Sequence, residues 1–379
     1  MNISIIYTES SMNFGGQEAQ ALLQMKSLIH RGFNVTLACH VDSKMAHEAK
    51  KNNIPIYPVP FVNSAHPPSI IRLRKLLRQQ QATLAICHSG HDANNLAIAV
   101  KTLAKKQRPC VLRQKTYLSS KIKAFSMNYL FDYVIVPSEP MRQTLLQSGC
   151  MPQKVKVVHP GFDFSKMVAE NHTSLANNIL AWLNHGTAPI IIQVGMLREE
   201  KGHDIILATL AQLKRQGRLF RYLIIGDGPC KTKLQKKIID YDLEHETLLA
   251  GIIFPSSAIY SYASLTVIPS TKEAFGMVGV ESLFFGIPVF ASNVGGLPDI
   301  IQHKSNGLLL PPSQVNDWAA AIDDFLQQPK KYQEMAKRGQ LQVTQKFSIE
   351  SCLLRILQIG KVPYVNLLNN ANQDLSCYN

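Results

Sequence analysis

Short β-branched apolar runs recur along this chain at a β-α-β spacing, and that rhythm decides its fold class. ISIIYT (3–8) precedes a helix-length stretch from about Gln17 to Arg31, and NVTLACH (34–40) follows. TLAICH (83–88), CVLRQ (110–114), YVIVPS (133–138) and VKVVHPG (155–161) continue the pattern. Runs that are apolar on both faces and separated by helices belong to parallel sheets covered on both sides. After a polar, helical interval at 161–187 the rhythm restarts with APIIIQVG (188–195), RYLIIGDG (221–228), TLLAGI (247–252), LTVIPS (265–270) and PVFAS (288–292). Residues 316–360 read as helical. A chain of 379 residues exceeds one ordinary core and suits two. The expectation is an α/β fold of two doubly wound, Rossmann-like units in tandem.

Composition limits the function classes. A hydrophobic content of 46% with 17% charged residues is that of a globular chain. No apolar run reaches the roughly 18–20 residues of a bilayer span. The start, MNISIIYTES, has no basic segment followed by an apolar core of roughly 7–15 residues, so no signal peptide is expected. The cysteines at 39, 87, 110, 150, 230, 352 and 377 form no CxxC pair and read as reduced thiols, which implies a cytoplasmic protein. The net charge of +14 is unevenly placed. Residues 1–160 carry 20 lysines and arginines against 7 acids, whereas residues 161–379 carry 20 against 19. An excess confined to one half points to an anionic partner for that half, a membrane surface or an acidic substrate. Nucleic acid is not expected, because it leaves the neutral second half and its phosphate-type loops unexplained.

In open parallel sheets ligands bind beyond the carboxyl ends of the strands, so the loops after each run hold the candidate residues. After the first run, Gly15 and Gly16 open a helix; their amides suit an anion or a sugar, or the glycines serve a tight turn alone. After TLAI, His88, His91 and Asp92 follow in CHSGHDANN (87–95). A histidine or carboxylate there can orient or deprotonate an acceptor hydroxyl. No matching cluster elsewhere supports a metal site at these residues. After IIIQV, the loop GMLREEKGHD (195–204) sets Arg198 and Lys201 beside the start of a helix. Two cations and free amides there favour a diphosphate over a merely solvated loop. GDGP (226–229) lacks the third glycine of a dinucleotide fingerprint, and a strand-to-helix turn suffices to explain it.

The last such loop is PSTKEAFGMVGVESLFFGIP (269–288). Glu273 lies in the loop, and residues from about Gly276 to Phe285 read as a helix whose first amides, near Phe275 to Met277, suit an anion. Glu281 lies roughly 7 Å further along that helix, at about 1.5 Å per residue. The pair suits two carboxylates holding hydroxyls on either side of a diphosphate better than an acid and a base flanking one bond. DYD (240–242) has the letters of a metal-binding DxD but sits in the amphipathic stretch KLQKKIIDYDLEHE and reads as helix surface, so no metal is expected.

These pieces carry a family resemblance. EAFGMVGVESLFFGIPVFASNVGGLPDII, NGLLLPP (306–312), VGMLREEKGHDIIL, IGDGP, VVHPGFD and GGQEAQALLQMKSLIHRGFNV occur in family order from residue 1 to about 325. Together they resemble the retaining nucleotide-sugar glycosyltransferases of GT-B fold, of the family 4 type that builds bacterial cell-surface glycans such as lipopolysaccharide. The resemblance implies two Rossmann-like domains facing a cleft: 1–165 for the acceptor, with about 350–379 crossing back to it, and 166–349 for the nucleotide sugar. It implies that Glu273 contacts donor-sugar hydroxyls, Glu281 the ribose, and Lys201 a phosphate. Amides of Ala274, Phe275, Gly276, Met277 and Val278 would hold sugar and diphosphate. Met196 stands where the family usually has an arginine, and Arg198 is a candidate to supply that charge. His88 falls where many relatives carry a cleft histidine, with Asp92 as the competing candidate. The implied partners are a nucleoside-diphosphate sugar and a glycan or glycolipid acceptor. The basic, apolar-rich segments 69–80 and 112–131 are candidates to lie on the anionic inner face of the cytoplasmic membrane. A UDP-sugar epimerase of the same fold is the alternative, and an NAD-dependent enzyme a distant one.

Overall fold

The computed structural model describes residues 3–117 and 122–363. The chain forms two compact units, one of residues 1–162 with 347–379 and one of residues 163–346. Residues 118–121 of the basic segment 112–131, and 364–379 of the expected returning segment, lie outside the described residues.

In the first unit the strands are β1 (Ser4–Glu9), β2 (Asn34–Cys39), β3 (Ile56–Pro58), β4 (Leu84–Cys87), β5 (Cys110–Gln114), β6 (Tyr133–Val136) and β7 (Val155–Val157). They form one parallel sheet in the order β3-β2-β1-β4-β5-β6-β7. The helices between them are α1 (Gly16–His30), α2 (Lys44–Lys51), α3 (Pro67–Gln79), α4 (Gly90–Lys101), α5 (Ala124–Tyr129) and α6 (Glu139–Gln147). The second unit begins with α7 (Phe164–Glu170) and α8 (Asn177–Leu183). Its strands are β8 (Ile190–Val194), β9 (Arg221–Ile225), β10 (Thr247–Gly251), β11 (Leu265–Ile268), β12 (Val289–Ser292) and β13 (Leu308–Leu310), in the order β10-β9-β8-β11-β12-β13. Its further helices are α9 (His203–Arg215), α10 (Lys231–Asp240), α11 (Met277–Phe284), α12 (Leu297–Ile300), α13 (Val315–Gln327) and α14 (Pro329–Lys346); α15 (Ile349–Ile359) belongs to the first unit. The sequence rhythm does not mark β3 or β13. Both are three-residue strands at a sheet edge, and β3 ends in a proline, so neither carries the period of a central strand.

The period of two places alternate residues of each central strand in different cores. Ile5 and Tyr7 of β1, with Leu84 and Ile86 of β4, face the layer of α1, α2 and α15. Ile6, Ala85 and Cys87 face the layer of α3 and α4. The order of both sheets reverses direction beside the first strand of the unit, between β1 and β4 and again between β8 and β11. Loops diverge at such a switch point and leave a crevice at the carboxyl edge.

The chain leaves and re-enters the first unit at one place. Phe162 N–H donates to Phe347 O and Ile349 N–H to Phe162 O, both at 2.9 Å. Gln20 of α1 pins the departing segment with a reciprocal pair to Gly161, at 3.0 and 3.1 Å. Ser348 caps α15 by accepting from Ser351 N–H, and the helix seals its Leu353, Ile356 and Leu357 fully from solvent. Leu353→Ala is expected to lower the stability of the first unit by about 2–5 kcal/mol, the cost of an unfilled core site. A urea titration followed by a probe in that unit reads the shift. An unchanged midpoint contradicts a core role for α15.

Candidate functional site

In the second unit, β8 runs out into 195–198 and a 3-10 turn, Glu199–Lys201, before α9. The turn is supported from below: the Gln193 amide donates to Lys201 O at 2.8 Å and accepts from Tyr222 OH at 2.6 Å. It is also tied to the loop after β11, where Thr271 N–H donates to Glu200 O at 2.8 Å. Gly202, at φ +68°, closes this contact; a Cβ there would lie 2.1 Å from Pro269 O. Gly295, at φ +52°, presses on the same loop from the other side, where a Cβ would lie 1.6 Å from Glu273 O. Only glycine fits either position.

Held between these contacts, Lys201 Nζ lies 2.7 Å from Glu273 Oε2, which also accepts from Ser270 Oγ at 3.3 Å. Both side chains keep part of their surface open, Lys201 27% and Glu273 15%. An ion pair this accessible adds little to stability; its consequence is the placement of a cation and a carboxylate side by side. Gly276 precedes α11 with no side-chain cap, so the first turn, at Met277 and Val278, presents uncapped amides. Ala274 is exposed beside them, and Phe275 is buried beneath. Further along α11, Glu281 Oε2 accepts from Tyr260 OH at 2.8 Å and Ser256 Oγ at 3.3 Å. Both bonds fall on one oxygen, which leaves Oε1 for a ligand hydroxyl. Burial raises the Glu281 carboxyl above its ordinary value while these two donors pull it back. Burial, then the Glu281 charge, raises Tyr260 well above its own, so Tyr260 remains a donor.

Arg198 does not join this pair. Its guanidinium lies 3.7 Å from Glu200 and is half exposed, as is Met196. Residues 226–229 back the loop: Gly195 N–H donates to Ile225 O and Leu197 N–H to Asp227 O. The DYD letters fall at the end of α10. Asp242 sits in a left-handed turn ahead of β10, 3.1 Å from Lys214, at the amino edge of the sheet and away from Lys201.

In the first unit the loops after β1 and β4 meet over a sealed acidic cluster. Asp92 is fully buried; its Oδ2 accepts from Thr8 Oγ1 at 2.8 Å and His88 N–H at 3.0 Å, and its Oδ1 accepts from Ser10 Oγ at 3.1 Å. Burial, then the charge of Glu9, pushes the Asp92 carboxyl up to about 7. His88 Nδ1 lies 3.1 Å from Thr8 O. A carbonyl only accepts, so Nδ1 carries a proton, while Nε2 is buried without a protein partner. His91 is exposed and turns to Ser64 Oγ at 2.9 Å. Gly15 N–H donates to the Glu18 carboxylate at 2.8 Å, and a Cβ on Gly16 would meet nothing within 4 Å, so open space faces the start of α1. Of the residues singled out in the sequence, the structure brings Lys201 to Glu273 and His88 to Asp92. The sequence reading missed Glu9, which is 1% exposed and gathers Ser89 Oγ at 2.7 Å, Ser11 N–H at 2.8 Å and the Gln17 amide at 3.1 Å. An acid closing an otherwise apolar strand was the available signal. Tyr260 and Ser256 had none, because their 3-10 turn, Ser256–Tyr262, carries no period.

Residues 14–166 match the family model described as Glycosyltransferase Family 4, and residues 177–342 match that described as Glycosyl transferases group 1. Among curated proteins, the chain is 30% identical over 166 residues to an alpha-D-kanosaminyltransferase of Streptomyces kanamyceticus, covering 43% of each chain. It is 29% identical over 227 residues to a D-inositol 3-phosphate glycosyltransferase of Gordonia bronchialis, covering 56% of this chain and 49% of that protein. The matches therefore span about half the length of these relatives or less. Among solved structures, a glycosyltransferase from Rickettsia africae aligns over 97% of this chain and 99% of its own, with a TM-score of 0.83 at 19% identity. An Anabaena protein in complex with UDP and glucose aligns over 94% and 99%, with a TM-score of 0.76 at 18% identity. The two family models cover most of the chain between them, one on each unit, and the chain belongs to the glycosyltransferases of GT-B fold.

Proposed function

We propose that this chain transfers a hexose-type sugar from a nucleoside-diphosphate sugar to a hydroxyl acceptor, with retention of anomeric configuration and without a metal ion. The observation that carries the reading is the Lys201–Glu273 pair, 2.7 Å apart beside the uncapped first turn of α11 and one helix wall away from Glu281. In the transfer the bond from the sugar's anomeric carbon to the diphosphate breaks, a bond to the acceptor oxygen forms, and the acceptor's proton is released. Negative charge grows on the departing diphosphate while the sugar becomes cationic. Lys201 and the α11 amides meet the first charge, with Arg198 close by in sequence to add a second cation. When phosphate takes Lys201, Glu273 is freed to hold sugar hydroxyls. Glu281, oriented by Tyr260 and Ser256, accepts from the ribose. In the first unit, Asp92 holds the His88 loop in place, and the buried His88 Nε2 meets an acceptor hydroxyl only when the loops after β1 and β4 part to admit it.

The acceptor we favour is a lipid-linked cell-surface glycan of the lipopolysaccharide class, met at the inner face of the membrane. The support is the basic first unit and, on α5, the exposed pair Phe125 and Tyr129, whose ring centroids lie 4.9 Å apart beside Lys123. Among the described residues no helix is long and apolar enough to cross a membrane. The segment 69–80 contributes less to such a contact than its sequence suggests, because Leu73, Leu76 and Leu77 of α3 are buried in the core.

Four outcomes are expected. Glu281→Ala raises the dissociation constant of the nucleotide about tenfold or more, the loss of a charged hydrogen bond. Glu273→Ala instead lowers kcat by about a hundredfold, with nucleotide binding nearly kept; steady-state kinetics with an active donor separate the two, and normal transfer by both variants contradicts the site. Turnover is unchanged by EDTA, and loss that added Mg²⁺ or Mn²⁺ restores contradicts metal independence. Asp92, finally, has a carboxyl raised from 3.8 to about 7 in the folded chain. Between those values the folded state keeps a proton that the unfolded state releases, so stability falls as pH rises from about 4 to about 7 and then levels. Asp92→Asn flattens that slope in thermal unfolding across the same window; an unaltered slope contradicts the assignment.

A further inference from the structure

A second concave surface lies on the first unit, at the amino edge of its sheet and away from the β1–β4 switch point. Three segments converge on it: the last turns of α3, the turn leading to β4, and the 3-10 turn Lys105–Gln107 leading to β5. They enclose a pocket of about 900 Å³ lined by Arg74, Lys75, Arg78, Lys106 and Arg108, with Thr83 on its wall and no acidic residue. The pocket residues Ala82 and Thr83 precede β4, whereas the His88 cluster follows it. The two sites are therefore separated by the length of that strand, roughly 13 Å at about 3.3 Å per residue.

The charges in this pocket are uncompensated. Arg108 is fixed by donating to Leu103 O at 3.0 Å and Lys101 O at 2.8 Å, which aims its guanidinium without neutralising it. Among the described residues no carboxylate lies within ion-pair distance of Arg74, Lys75, Arg78, Lys106 or Arg108. One cation near the end of α3 is accounted for by the helix dipole. A cluster of cations drawn from two segments, α3 and the turn at 105–108, repels itself and is relieved by a bound anion. Leu73, Leu76 and Leu77 of α3 are spent on the core and Ile71 alone of its leucines and isoleucines is well exposed, too little for the apolar face of a helix that lies on a bilayer. Pockets of roughly 300–1,000 Å³ take small molecules, and a concave ring of guanidinium and ammonium groups selects phosphoryl oxygens.

We propose that this pocket binds a compact anion bearing two or more phosphoryl groups, at a site separate from the nucleotide-sugar loops. Isothermal titration of the full chain with inorganic tripolyphosphate tests it, with saturating UDP present to fill any diphosphate site in the second unit. The wild-type chain is expected to bind, and more weakly as salt is raised. The exposed double substitution Arg74→Gln with Arg78→Gln is expected to weaken binding by about tenfold or more, as two charged contacts are lost. Lys201→Gln leaves this binding intact, which separates the proposal from the reading of the donor loops. Equal binding by the double variant, or displacement by UDP, overturns the proposal. So does an absence of tripolyphosphate binding alongside Arg74- and Arg78-dependent co-sedimentation with phosphatidylglycerol vesicles, which assigns the pocket to a membrane surface instead.

Discussion

The site in the second unit depends on backbone lying directly on backbone. Where Gly202 meets Pro269 and Gly295 meets Glu273, a single methyl group would overlap a carbonyl oxygen. The first contact fixes the loop after β8 against the loop after β11, the second holds the loop after β11 against the loop after β12, and Lys201 and Glu273 meet at 2.7 Å from positions 72 residues apart in sequence. Neither side chain needs to be buried for this. The loops are rigid where the chain touches itself and open where a ligand would lie, as a site must be if its charges are to exchange partners.

The two sheets share a strand order and each converges its polar residues at the switch point, but the chemistry differs. In the second unit the charged pair is accessible and the helix start is uncapped, so binding energy is available to an anion from solution. In the first unit Glu9, Asp92 and His88 are sealed, and their hydrogen bonds run to the loops after β1 and β4. Buried carboxylates tied this way hold backbone in place, and the unpaired His88 Nε2 is the group they leave free. The basic pocket lies at the other edge of the same sheet, so one fold carries two differently charged surfaces.

Much of this was legible in the sequence. The apolar runs marked the central strands, where short β-branched stretches alternate with helix-length segments, and the three-residue edge strands β3 and β13 were too short to stand out. The loop residues Lys201, Glu273 and Glu281 stood out as charges placed after strands. Their partners did not. Tyr260 reaches Glu281 from a turn without period, and Gln193 supports Lys201 from within a strand. Arg198 stood out beside Lys201 in the same loop; its guanidinium lies 3.7 Å from Glu200 and is half exposed. The basic segment 69–80 read as one surface, and only the fold reveals that its leucines face inward while its cations join Lys106 and Arg108.

The central claim is that the loops after β8 and β11 hold a nucleoside-diphosphate sugar. Saturation-transfer NMR of the full chain against UDP-, GDP- and ADP-sugars tests it most directly. The account predicts that at least one donor receives saturation at both its sugar and its ribose protons, and that free Mg²⁺ is not needed. No transfer to any of the donors, with saturation of NAD⁺ in their place, contradicts it.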